Sequence, residues 1–505
     1  MADELAPVRA FVMPGAMASP PPELLRRLAD LLGPKGYSDD PADLAPWLSD
    51  WRGRYRGQAA AMLSPASAGE VAALVKLCAD AGTALVPQGG NTSMVGGATP
   101  DSSGDALILS LRRMNAIRSL DREASLAVCE AGVVLESLHQ AALAQGRRFP
   151  LSLAAKGSAT IGGLVSTNAG GTQVLRFGTM RSLVQGVEAV LPDGSLFDGL
   201  SPLKKDTRGY NLTQLLIGAE GTLGIVTAVS LKLVPAIGSR VVAWAGLATA
   251  AAALRLLRHL EAAIGDMVES FELVPRNALE LVLEHVPGTR QPLSEPTAWN
   301  VLIEAVAPMA AASPEKPLYE ALRSALELGI VEDVAIAGSE AQAEALWRLR
   351  ETVSEAERQH GPAAKHDISV TVEQMPGFMT SASAAVEERF AGTQVIAFGH
   401  LGDGNIHFNV AAPAGTGADW LDGEGRRVTA MVHDLVTAAG GSISAEHGIG
   451  QMKLAELARL ADPARIGAMQ AIKHALDPRN IMNPGKLVPP VDASSGSLAD
   501  SPLRP

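Results

Sequence analysis

The feature that most constrains the fold is a glycine-rich stretch at residues 86–97. It follows the apolar run 83–86, which predicts a buried strand, and it contains four glycines and one proline. Glycine permits a positive φ and lets a ligand approach the backbone closely. These properties predict a loop whose amide N–H groups converge on an anion, most often a phosphate. A surface turn is the alternative interpretation, but a turn needs only one or two glycines.

Two further glycine-rich segments repeat this pattern. Residues 156–171 combine five glycines with Ser, Thr and Asn side chains, which can donate hydrogen bonds to a phosphate or to a ring edge. Residues 216–227 form a third glycine-spaced turn that leads into a β-branched strand. The repetition makes a simple surface turn a poor explanation and favours a phosphate-containing ligand bound by the first half of the chain.

The composition argues against several classes of protein. With 505 residues, 47% of them hydrophobic, the chain is expected to form two or three domains with full cores. A formal net charge of −12 argues against nucleic-acid binding, which depends on Lys and Arg. Cys78 and Cys129 are too few for a disulfide framework or a Cys-based metal site. The acidic N-terminus is unlike a signal peptide, and no apolar stretch reaches the ~20 residues of a membrane span, so a cytoplasmic location is predicted.

The sequence pattern changes after Pro235. Strand and helix patterns alternate from residue 241 to residue 359, which predicts an antiparallel sheet with helices packed on one face, as in ferredoxin-like domains. The last of these helices is predicted over residues 340–359. A domain boundary is therefore placed near residue 236. The tail after residue 489 is rich in Ser, Pro and Asp and is predicted to be disordered.

Two short segments concentrate candidate metal ligands. In the first, His400 and His407 flank a Gly-Asp-Gly-Asn turn, so both imidazoles can converge on one point. In the second, Glu446 and His447 precede a glycine and add a carboxylate and another imidazole. A His/His/Glu set suits zinc or a similar divalent ion and leaves a coordination position open for a substrate oxygen. The alternative is that these histidines only satisfy hydrogen bonds in a loop, as a lone histidine usually does.

Cationic residues form two further candidate groups. Arg350 and Ser354 stand four residues apart on a predicted helix and share a face, and Lys365 opens the next strand. Together these three side chains could hold a carboxylate, although each alone is more often a surface residue. Residues 50–57 carry three arginines within five residues, and this stretch either lines an anionic pocket or is a solvated connector.

Taken together, residues 50–487 resemble the FAD-dependent 2-hydroxyacid dehydrogenases of the vanillyl-alcohol-oxidase superfamily. Six segments carry the resemblance: the pyrophosphate loop, two further flavin segments, a metal motif, a base motif and a C-terminal segment that returns to the flavin. In this order they are residues 87–97, 156–171, 220–225, 399–407, 446–450 and 477–486. Each motif alone would be weak, but six in this order are specific for the fold and the cofactor.

The resemblance implies an α+β fold. A PCMH-type (p-cresol methylhydroxylase-type) FAD-binding domain of two α/β subdomains would be followed by a ferredoxin-like substrate domain and a mainly helical C-terminal segment. The implied units are an N-terminal extension 1–49, the FAD-binding domain 50–236, the substrate domain 237–395, a C-terminal metal and catalytic segment 396–489 and a disordered tail 490–505.

The matched flavin segments imply a set of FAD-binding residues. They are Pro87, Gly89, Gly90, Asn91, Thr92, Gly96, Gly97, Gly157, Ser158, Thr160, Gly162, Gly163, Thr167, Asn168, Gly170, Glu220, Gly221, Gly224, Ile225 and Asn483. Position 91 is Asn, whereas superfamily members with covalently bound flavin often have His in this loop. Noncovalent FAD is therefore expected.

The resemblance also implies roles for the second half of the chain. The metal ligands would be His400, His407 and Glu446, the general base His447, and the substrate-binding residues Arg350, Ser354, Lys365 and Asn409. Zinc is the default ion for this ligand set, and manganese or cobalt would also fit. Two positions depart from the family pattern: Ser354 stands where Thr is expected and keeps the hydroxyl, and His366 stands where Tyr is expected.

The implied reaction is the oxidation of a D-2-hydroxyacid to the 2-oxoacid, with hydride transfer from C2 to FAD while His447 removes the hydroxyl proton. D-2-hydroxyglutarate is favoured because Arg350, Lys365 and the arginine stretch offer anchors for two carboxylates. D-malate is intermediate, and D-lactate, with one carboxylate, would leave a cation unpaired. Electrons would leave to an electron-transfer flavoprotein or a quinone, and a homodimer is compatible with the sequence.

Two functions of other classes stay open. A metal-dependent hydrolase would use the His/His/Glu set on water, but it would leave three glycine-rich segments without a role. A flavin-binding electron-transfer subunit without chemistry of its own would use the glycine-rich segments but not the His/His/Glu/His set.

Overall fold

The computed structural model describes residues 19–201, 203 and 205–490. The predictions for residues 1–18 and for the tail from residue 491 onwards lie outside the described residues. Within them, a four-stranded, a five-stranded and a two-stranded sheet occupy the first half of the chain, and one seven-stranded sheet occupies the second half. No helix in the described ranges is long and apolar enough to cross a membrane.

The first region is a four-stranded sheet with its helices. Its elements are α1 Pro22–Leu32, β1 Tyr37–Ser38, α2 Pro41–Leu44, β2 Met62–Leu63, α3 Ala68–Ala81, β3 Ala84–Gln88 and β4 Ala106–Ser110. The strand order is β1-β2-β4-β3, and β4 pairs in parallel with both β2 and β3. Leu28 of α1 is fully buried beside Leu74 of α3. Residues 19–49 therefore belong to this core, and the predicted separate extension 1–49 is wrong for its described part.

The second region is a five-stranded antiparallel sheet. Its elements are β5 Ile117–Asp121, β6 Leu126–Glu130, α4 Leu135–Ala144, β7 Arg147–Arg148, α5 Ile161–Ser166, α6 Val174–Phe177, α7 Met180–Leu183, β8 Val184–Val190, β9 Leu196–Asp198, α8 Leu212–Leu216, β10 Ile225–Lys232 and β11 Val234–Pro235. Of these, β7 and β11 pair with each other in a separate two-stranded sheet. The order is β5-β6-β10-β8-β9. The third glycine turn leads into the central strand β10, and the second glycine segment contains α5.

The third region is built on a seven-stranded antiparallel sheet. Its elements are β12 Ile237–Leu247, α9 Ala250–Ile264, β13 Val268–Pro275, α10 Arg276–His285, β14 Trp299–Pro308, α11 Glu315–Glu327, β15 Asp333–Ile336, α12 Glu340–Glu351, α13 Val353–His360, β16 Ala363–Ser369, α14 Met375–Arg389, β17 Gln394–His400, β18 Asn405–Ala411, α15 Glu424–Ala438, α16 Leu454–Leu460 and α17 Pro463–Leu476. The strand order is β15-β12-β14-β13-β17-β18-β16.

Helices cover both faces of this sheet. On β12, Val241, Ala243 and Ala245 pack into a core with α9, α11, α14 and α15. The alternate residues Val242 and Trp244 pack into a second core with α10, α12 and α13. The prediction of helices on one face is therefore wrong. Because both alternating sets of residues on this strand are apolar, both faces must be covered.

Two predicted boundaries also differ from the structure. The sheet crosses the boundary placed at residue 395, since β17 and β18 lie between β13 and β16. A mainly helical segment begins only after β18. The helix predicted over residues 340–359 is interrupted at Thr352, whose Oγ1 donates to the carbonyl oxygen of Arg348, and it forms the two helices α12 and α13.

A buried ion pair and the end of the chain join the third region to the first two. Glu269 of β13 is fully buried and accepts hydrogen bonds from Arg148 and Arg176. After α17 the chain returns to β3, where Leu85 donates its amide hydrogen to the carbonyl oxygen of Ile481 and accepts from the amide of Asn483. This return places the C-terminal segment directly before the first glycine loop.

Candidate active site

One large cavity lies where the glycine segments face the third region. Its volume is about 1330 Å³, and most small-molecule pockets have ~300–1,000 Å³. His400, His407, Glu446 and His447 line this cavity together with residues of all three glycine segments. The two groups of motifs, which are far apart in the sequence, therefore share one site.

The first glycine loop offers free backbone donors to this cavity. The amide groups of residues 89–94 donate no hydrogen bond to a backbone or side-chain acceptor in the described part of the chain. Asn91 has a φ of +54°, a left-handed conformation of the kind that directs neighbouring amides to one side. The loop therefore has the donors that a bound anion such as a pyrophosphate requires.

The glycines in these segments are required because the segments touch one another. A Cβ at Gly90 would lie 1.8 Å from the carbonyl oxygen of Ser158. A Cβ at Gly221, which has a φ of +71°, would lie 2.4 Å from the ring of Pro87. Side chains at these positions would push the segments apart, so the glycines specify the shape of the cavity wall.

Most of the predicted flavin residues line the cavity. They are Pro87, Gly89, Gly90, Asn91, Thr92, Gly97, Ser158, Thr160, Gly162, Gly163, Thr167, Gly170, Glu220, Gly221, Gly224 and Ile225. Gly96, Gly157, Asn168 and Asn483 were predicted with them but are not part of the cavity wall. Asn483 acts behind it, because its Nδ2 donates to backbone carbonyls of the first and third glycine segments.

Two of the lining residues use their side chains to hydrogen-bond the backbone of other segments of the protein. Asn91 donates its Nδ2 to the carbonyl oxygen of Ser49, at 2.8 Å, and so holds the arginine stretch against the first glycine loop. Glu220 is buried, and its carboxylate accepts the amide hydrogens of Ile449 and Gly450 at 2.7 and 2.8 Å. Glu220 therefore connects the third glycine turn to the loop that carries Glu446 and His447.

The histidine constellation is built on one face of the seven-stranded sheet. Strand pairing sets Glu272 of β13 beside His400 of β17, and His407 of β18 beside Asp367 of β16. Side chains directly opposite one another on paired strands share a face. The rings of His400 and His407 are 5.5 Å apart between their centres. Glu446 completes the group from the loop after α15.

His400, His407 and Glu446 form a candidate metal site. Their ligand atoms all lie within 4.8 Å of one another. Nδ1 of His400 is 2.7 Å from Oε1 of Glu272, which leaves Nε2, 4.0 Å from Oε1 of Glu446, free for a cation. A carboxylate behind a ligating imidazole is the common arrangement around protein-bound zinc. Two imidazoles and one carboxylate are the ligand set of an open, catalytic zinc site, so these residues fit a divalent ion.

The pKa values of two of these groups agree with an exchange of protons for a cation. Burial acts to lower the pKa of His400, but the carboxylates of Glu272 and Glu446 outweigh it and raise the pKa to about 9. Burial raises the pKa of Glu446 to about 7. Metal binding needs a neutral imidazole and an ionised carboxylate, so a divalent cation would displace the protons held here near neutral pH.

His447 lies in the loop after Glu446 and has Asp367 behind it. Nδ1 of His447 is 3.4 Å from Oδ2 of Asp367, and the same oxygen accepts the amide hydrogens of Glu446 and His447 at 2.9 Å. Asn405 donates to the other oxygen of this carboxylate. Burial lowers the pKa of His447 below its ordinary value, so its imidazole is neutral at pH 7 and can accept a proton.

The two predicted cationic anchors are paired with buried carboxylates. Nε of Arg350 is 2.8 Å from Oε2 of Glu272. Nζ of Lys365 is 2.8 Å from Oε2 of Glu357, and Nδ2 of Asn409 is 2.8 Å from both oxygens of that carboxylate. These carboxylates fix the orientation of all three side chains. They also compensate the two positive charges before a substrate binds.

The four predicted substrate residues divide between two cavities. Arg350, Ser354 and Lys365 line the large cavity. Asn409 lines an adjacent cavity of about 120 Å³, which Ser354 and Lys365 also line. Although α12 and α13 are separate helices, the predicted common face of Arg350 and Ser354 is therefore retained.

The sequence analysis missed three buried carboxylates, those of Glu272, Glu357 and Asp367. Each is at most 3% exposed and orients a candidate functional side chain. Glu272 stands in a largely apolar strand, and a charged residue in a strand that is covered on both faces is unusual unless it is paired. That signal could have identified Glu272. Asp367 follows Lys365 and His366 in a polar stretch of β16, and Glu357 lies in a polar helix, so neither gives such a signal.

His366, which stands where Tyr was expected, points away from the large cavity. Its Nδ1 is 2.7 Å from the carbonyl oxygen of Phe408, and its Nε2 is 3.0 Å from Oγ1 of Thr429 on α15. It lines the smaller cavity but not the large one. The departure at this position therefore changes packing behind the sheet more than the row of side chains that contains Lys365 and Asp367.

Both halves of the chain match known protein families. Residues 59–199 match the family described as FAD binding domain, and residues 238–487 match FAD linked oxidases, C-terminal domain. The chain is 37% identical over 460 residues to the mitochondrial D-2-hydroxyglutarate dehydrogenase of Arabidopsis thaliana, covering 91% of this chain and 80% of the relative. It is 37% identical over 457 residues to D-2-hydroxyglutarate dehydrogenase of Xanthomonas citri pv. viticola, covering 90% and 94%.

A solved structure supports the fold class. The crystal structure of p-cresol methylhydroxylase with substrate bound is similar to this chain with a TM-score of 0.67 and 15% identity, over 92% of this chain and 96% of that one. At this identity the likeness concerns the fold alone. With the two family matches it confirms the predicted α+β, PCMH-type architecture and the prediction of FAD as cofactor.

Proposed function

The chain belongs to the FAD-linked oxidoreductase family of the D-2-hydroxyglutarate dehydrogenases, and from this premise we propose that it oxidises D-2-hydroxyglutarate to its 2-oxoacid. The single observation that carries the proposal is the shared cavity. A nest of free amides on one side and a His/His/Glu/His group on the other line the same space. A hydrolase would need only the second group, and an electron-transfer subunit would need only the first.

The glycine segments fit FAD. The amides of residues 89–94 are available for the pyrophosphate, and Oγ1 of Thr160 is buried without a hydrogen-bond partner in the described ranges. Asn91 lies in the loop in which superfamily members with covalently bound flavin often have His, and its side-chain amide donates to the carbonyl oxygen of Ser49. The cofactor is therefore proposed to bind noncovalently.

His400, His407 and Glu446 would hold a divalent cation, most readily zinc. When bound, FAD takes up the hydride from C2 and the cation lowers the pKa of the substrate hydroxyl. His447 accepts the hydroxyl proton, because its imidazole is neutral and Asp367 stabilises the imidazolium that forms. C2 thus loses a hydride, its oxygen loses a proton, and the carbon–oxygen double bond of the 2-oxoacid is formed.

The substrate preference follows from the anchors. Arg350, Ser354 and Lys365 would hold the carboxylate next to C2. Asn409 and Lys365 both donate to Glu357, so Asn409 would help to hold Lys365 in position for the substrate. A diacid such as D-2-hydroxyglutarate uses more of the cationic wall than D-lactate does, and D-malate is shorter. We propose an electron-transfer flavoprotein or a quinone as the acceptor. A homodimer and a cytoplasmic location stay predictions.

The proposal is tested by anaerobic titration of the FAD-loaded protein. D-2-hydroxyglutarate is expected to bleach the flavin absorbance, with a higher kcat/KM than D-malate and D-lactate. A clear preference for D-lactate would contradict the proposed substrate. A colourless protein would favour the hydrolase, and a yellow protein that no hydroxyacid bleaches would favour the electron-transfer subunit.

Two controls test the cofactors. Dialysis against EDTA is expected to abolish turnover, and added zinc, manganese or cobalt is expected to restore it. Unchanged turnover after chelation would remove the metal from the proposal. Acid precipitation is expected to leave a colourless pellet, and a yellow pellet would show covalent flavin.

A further inference from the structure

A short stretch of the chain touches both sides of the large cavity. This linking segment, residues 170–177, consists of the end of the second glycine segment and α6, and its first three residues line the cavity. A Cβ at Gly170 would lie 3.5 Å from Oε1 of Glu446. A Cβ at Gly402, in the turn between the two histidine ligands, would lie 2.8 Å from the side chain of Leu175. The linking segment therefore contacts the cofactor wall and the metal group at once.

One buried carboxylate anchors the far end of the linking segment. Glu269 of β13 is fully buried, and its Oε2 accepts a hydrogen bond from Arg176 of α6 at 3.1 Å. Arg148 of β7 donates to both oxygens of the same carboxylate, at 2.5 and 2.6 Å. The guanidinium carbons of the two arginines lie 5.3 and 4.9 Å from the ring centre of Phe177. A bidentate pair and a third donor hold the carboxylate in one orientation.

A β-bulge presents this carboxylate to the linking segment. The pairing of β13 with β14 shifts by one residue between Val268 and Ser270, so that Glu269 is the extra residue. In a regular strand two successive side chains point to opposite faces. Here both reach the linking segment, because Oγ of Ser270 donates to the carbonyl oxygen of Thr172 at 3.0 Å. The bulged strand therefore holds the linking segment at two points.

The same strand also holds the metal group. Glu272 follows Glu269 by three residues, and its carboxylate contacts His400 and Arg350. A stretch of four residues in β13 thus contains both the anchor of the linking segment and the carboxylate behind a candidate metal ligand. The separation of the cofactor wall from the metal group is therefore fixed through this strand.

Stability alone explains the anchor poorly. The desolvation cost of a buried ion pair offsets most of its attraction, and apolar residues of similar volume are often at least as stabilising. Paired charges supply a defined geometry instead. Glu269, Arg148 and Arg176 line neither cavity, so any effect they have on the reaction passes through other residues.

We propose that Glu269, with Arg148 and Arg176, is a positioning group that sets the distance between the flavin and the metal ion. This inference rests on the proposed function for the presence of that ion. Hydride transfer requires the substrate carbon and the flavin at a defined separation, and small displacements slow such steps strongly. Loss of the anchor therefore slows flavin reduction but leaves both FAD and the ion bound.

Stopped-flow reduction of the FAD- and zinc-loaded protein by D-2-hydroxyglutarate tests the rate. Glu269→Gln is expected to lower the limiting rate constant ~10- to 100-fold, while the half-saturating substrate concentration stays within about twofold. The FAD and zinc contents are expected to equal those of the wild type. An unchanged rate constant, or a loss of FAD or zinc that accounts for the slower reduction, would overturn the proposal.

Glu188→Gln is the matched control. Glu188 is a buried carboxylate of the first half of the chain that accepts a bidentate pair from Arg118, at 3.0 Å, and it lines neither cavity. Removing it breaks a comparable ion pair, so Tm is expected to fall as in Glu269→Gln, but flavin reduction is expected to keep its wild-type rate. An equal loss of rate in this control would assign the effect to general destabilisation and contradict the proposal.

Arg176→Gln is a second variant of the anchor. Arg148 still compensates Glu269 in this variant, so the chain is expected to fold even where Glu269→Gln does not. Only the linking segment is released, and the rate constant for flavin reduction is expected to fall about tenfold. A wild-type rate in Arg176→Gln would contradict the role of the linking segment.

A distance measurement without turnover separates this inference from the proposed function. Manganese bound in place of zinc is expected to broaden the phosphorus NMR resonances of FAD in the wild type, and added zinc is expected to reverse the broadening. The broadening is expected to be weaker in Glu269→Gln and unchanged in Glu188→Gln. No broadening in the wild type, or equal broadening in all three proteins, would overturn the inference. If no hydroxyacid reduces the wild-type flavin, the proposed function fails, and this measurement still decides the inference.

Discussion

The two sides of the cavity are built in different ways. The glycine side binds through backbone amides, and its side chains are mostly neutral or absent. On the opposite side, buried carboxylates hold four of the cationic or imidazole side chains: Glu272 lies behind His400 and Arg350, Glu357 behind Lys365, and Asp367 behind His447. The shape of the first side depends on glycines, which lack a side chain, and the second side depends on paired charges.

This difference predicts different failures. Adding a methyl group to the glycine side should change its shape and weaken cofactor binding while leaving the chemistry of any bound cofactor intact. Removing one charge on the opposite side leaves a buried partner uncompensated, so metal binding or proton transfer should fail while the flavin stays bound. Four variants, ordered by expected effect, test this division.

His447→Gln should have the largest effect. Loss of the proton acceptor is expected to lower kcat ~10²- to 10⁴-fold, as is usual for general-base catalysis, with an unchanged FAD content. Stopped-flow reduction of the flavin by D-2-hydroxyglutarate measures the step directly. A variant that loses FAD in parallel with activity would show that the two sides of the cavity are not independent.

Gly90→Ala tests the glycine side. The new Cβ would lie 1.8 Å from the carbonyl oxygen of Ser158, and overpacking costs up to ~3 kcal/mol, so FAD affinity is expected to fall ~100-fold. Gly157→Ala is the matched control, because its Cβ would lie 3.4 Å from the nearest atom, Oε2 of Glu136. Fluorescence titration of the apoprotein with FAD gives both affinities. Equal losses of FAD affinity in the two variants would mean that the contact between the glycine segments does not determine the shape of the FAD-binding wall.

Glu272→Gln tests the carboxylates of the charged side. Its loss frees the orientation of His400 and Arg350, and replacing the group behind a metal ligand typically costs ~10- to 100-fold in metal affinity. Zinc affinity measured with a competing chelator should fall by this amount, with FAD binding retained. Glu188→Gln removes another buried, paired carboxylate, one that does not line the cavity, and is expected to leave zinc affinity unchanged.

His366→Gln should have the smallest effect. It changes a side chain of β16 that points away from the large cavity, towards α15. Burial, then the nearby His433, lowers the pKa of His366 to about 3, so between pH 6.5 and 3 the unfolded chain binds a proton that the folded chain does not. Stability is therefore lost as the pH falls below ~6.5, by ~1.4 kcal/mol per pH unit from this group.

Removing that group should flatten the pH dependence of stability without altering turnover. Urea unfolding of His366→Gln and wild type at pH 7 and pH 5.5 measures the difference, and kcat/KM at pH 7 is expected to stay within about twofold. An unchanged pH dependence would show that His366 titrates normally in the folded protein.

The glycine side was predictable from sequence because its determinants are local. A strand followed by several glycines restricts the backbone within a dozen residues, and sixteen of the twenty residues named from the flavin motifs line the cavity. The four that do not are two glycines and two asparagines next to the wall. A pattern of residue types shows that a loop is tight, but it does not show which of its atoms face inward.

The charged side was only half predictable. The histidines, Glu446 and the cations stand in short motifs, whereas Glu272, Glu357 and Asp367 reach them through strand pairing and helix packing. The boundary at residue 395 was wrong for the same reason: in the hairpin of β17 and β18, β17 pairs with β13, which lies more than a hundred residues away in sequence. Such pairing depends on register across the whole sheet.

The sequence by itself therefore determined the tight backbone segments, the cofactor class and the types of side chain that meet the substrate, because these properties depend on each residue and its near neighbours. The tertiary structure alone decided which charges are paired and which are free. Arg350, Lys365 and Arg52 all carry a positive charge in the sequence, but only the first two form an ion pair with a buried carboxylate. The partner of Arg350, Glu272, is 78 residues away in sequence, so local patterns do not encode that contact.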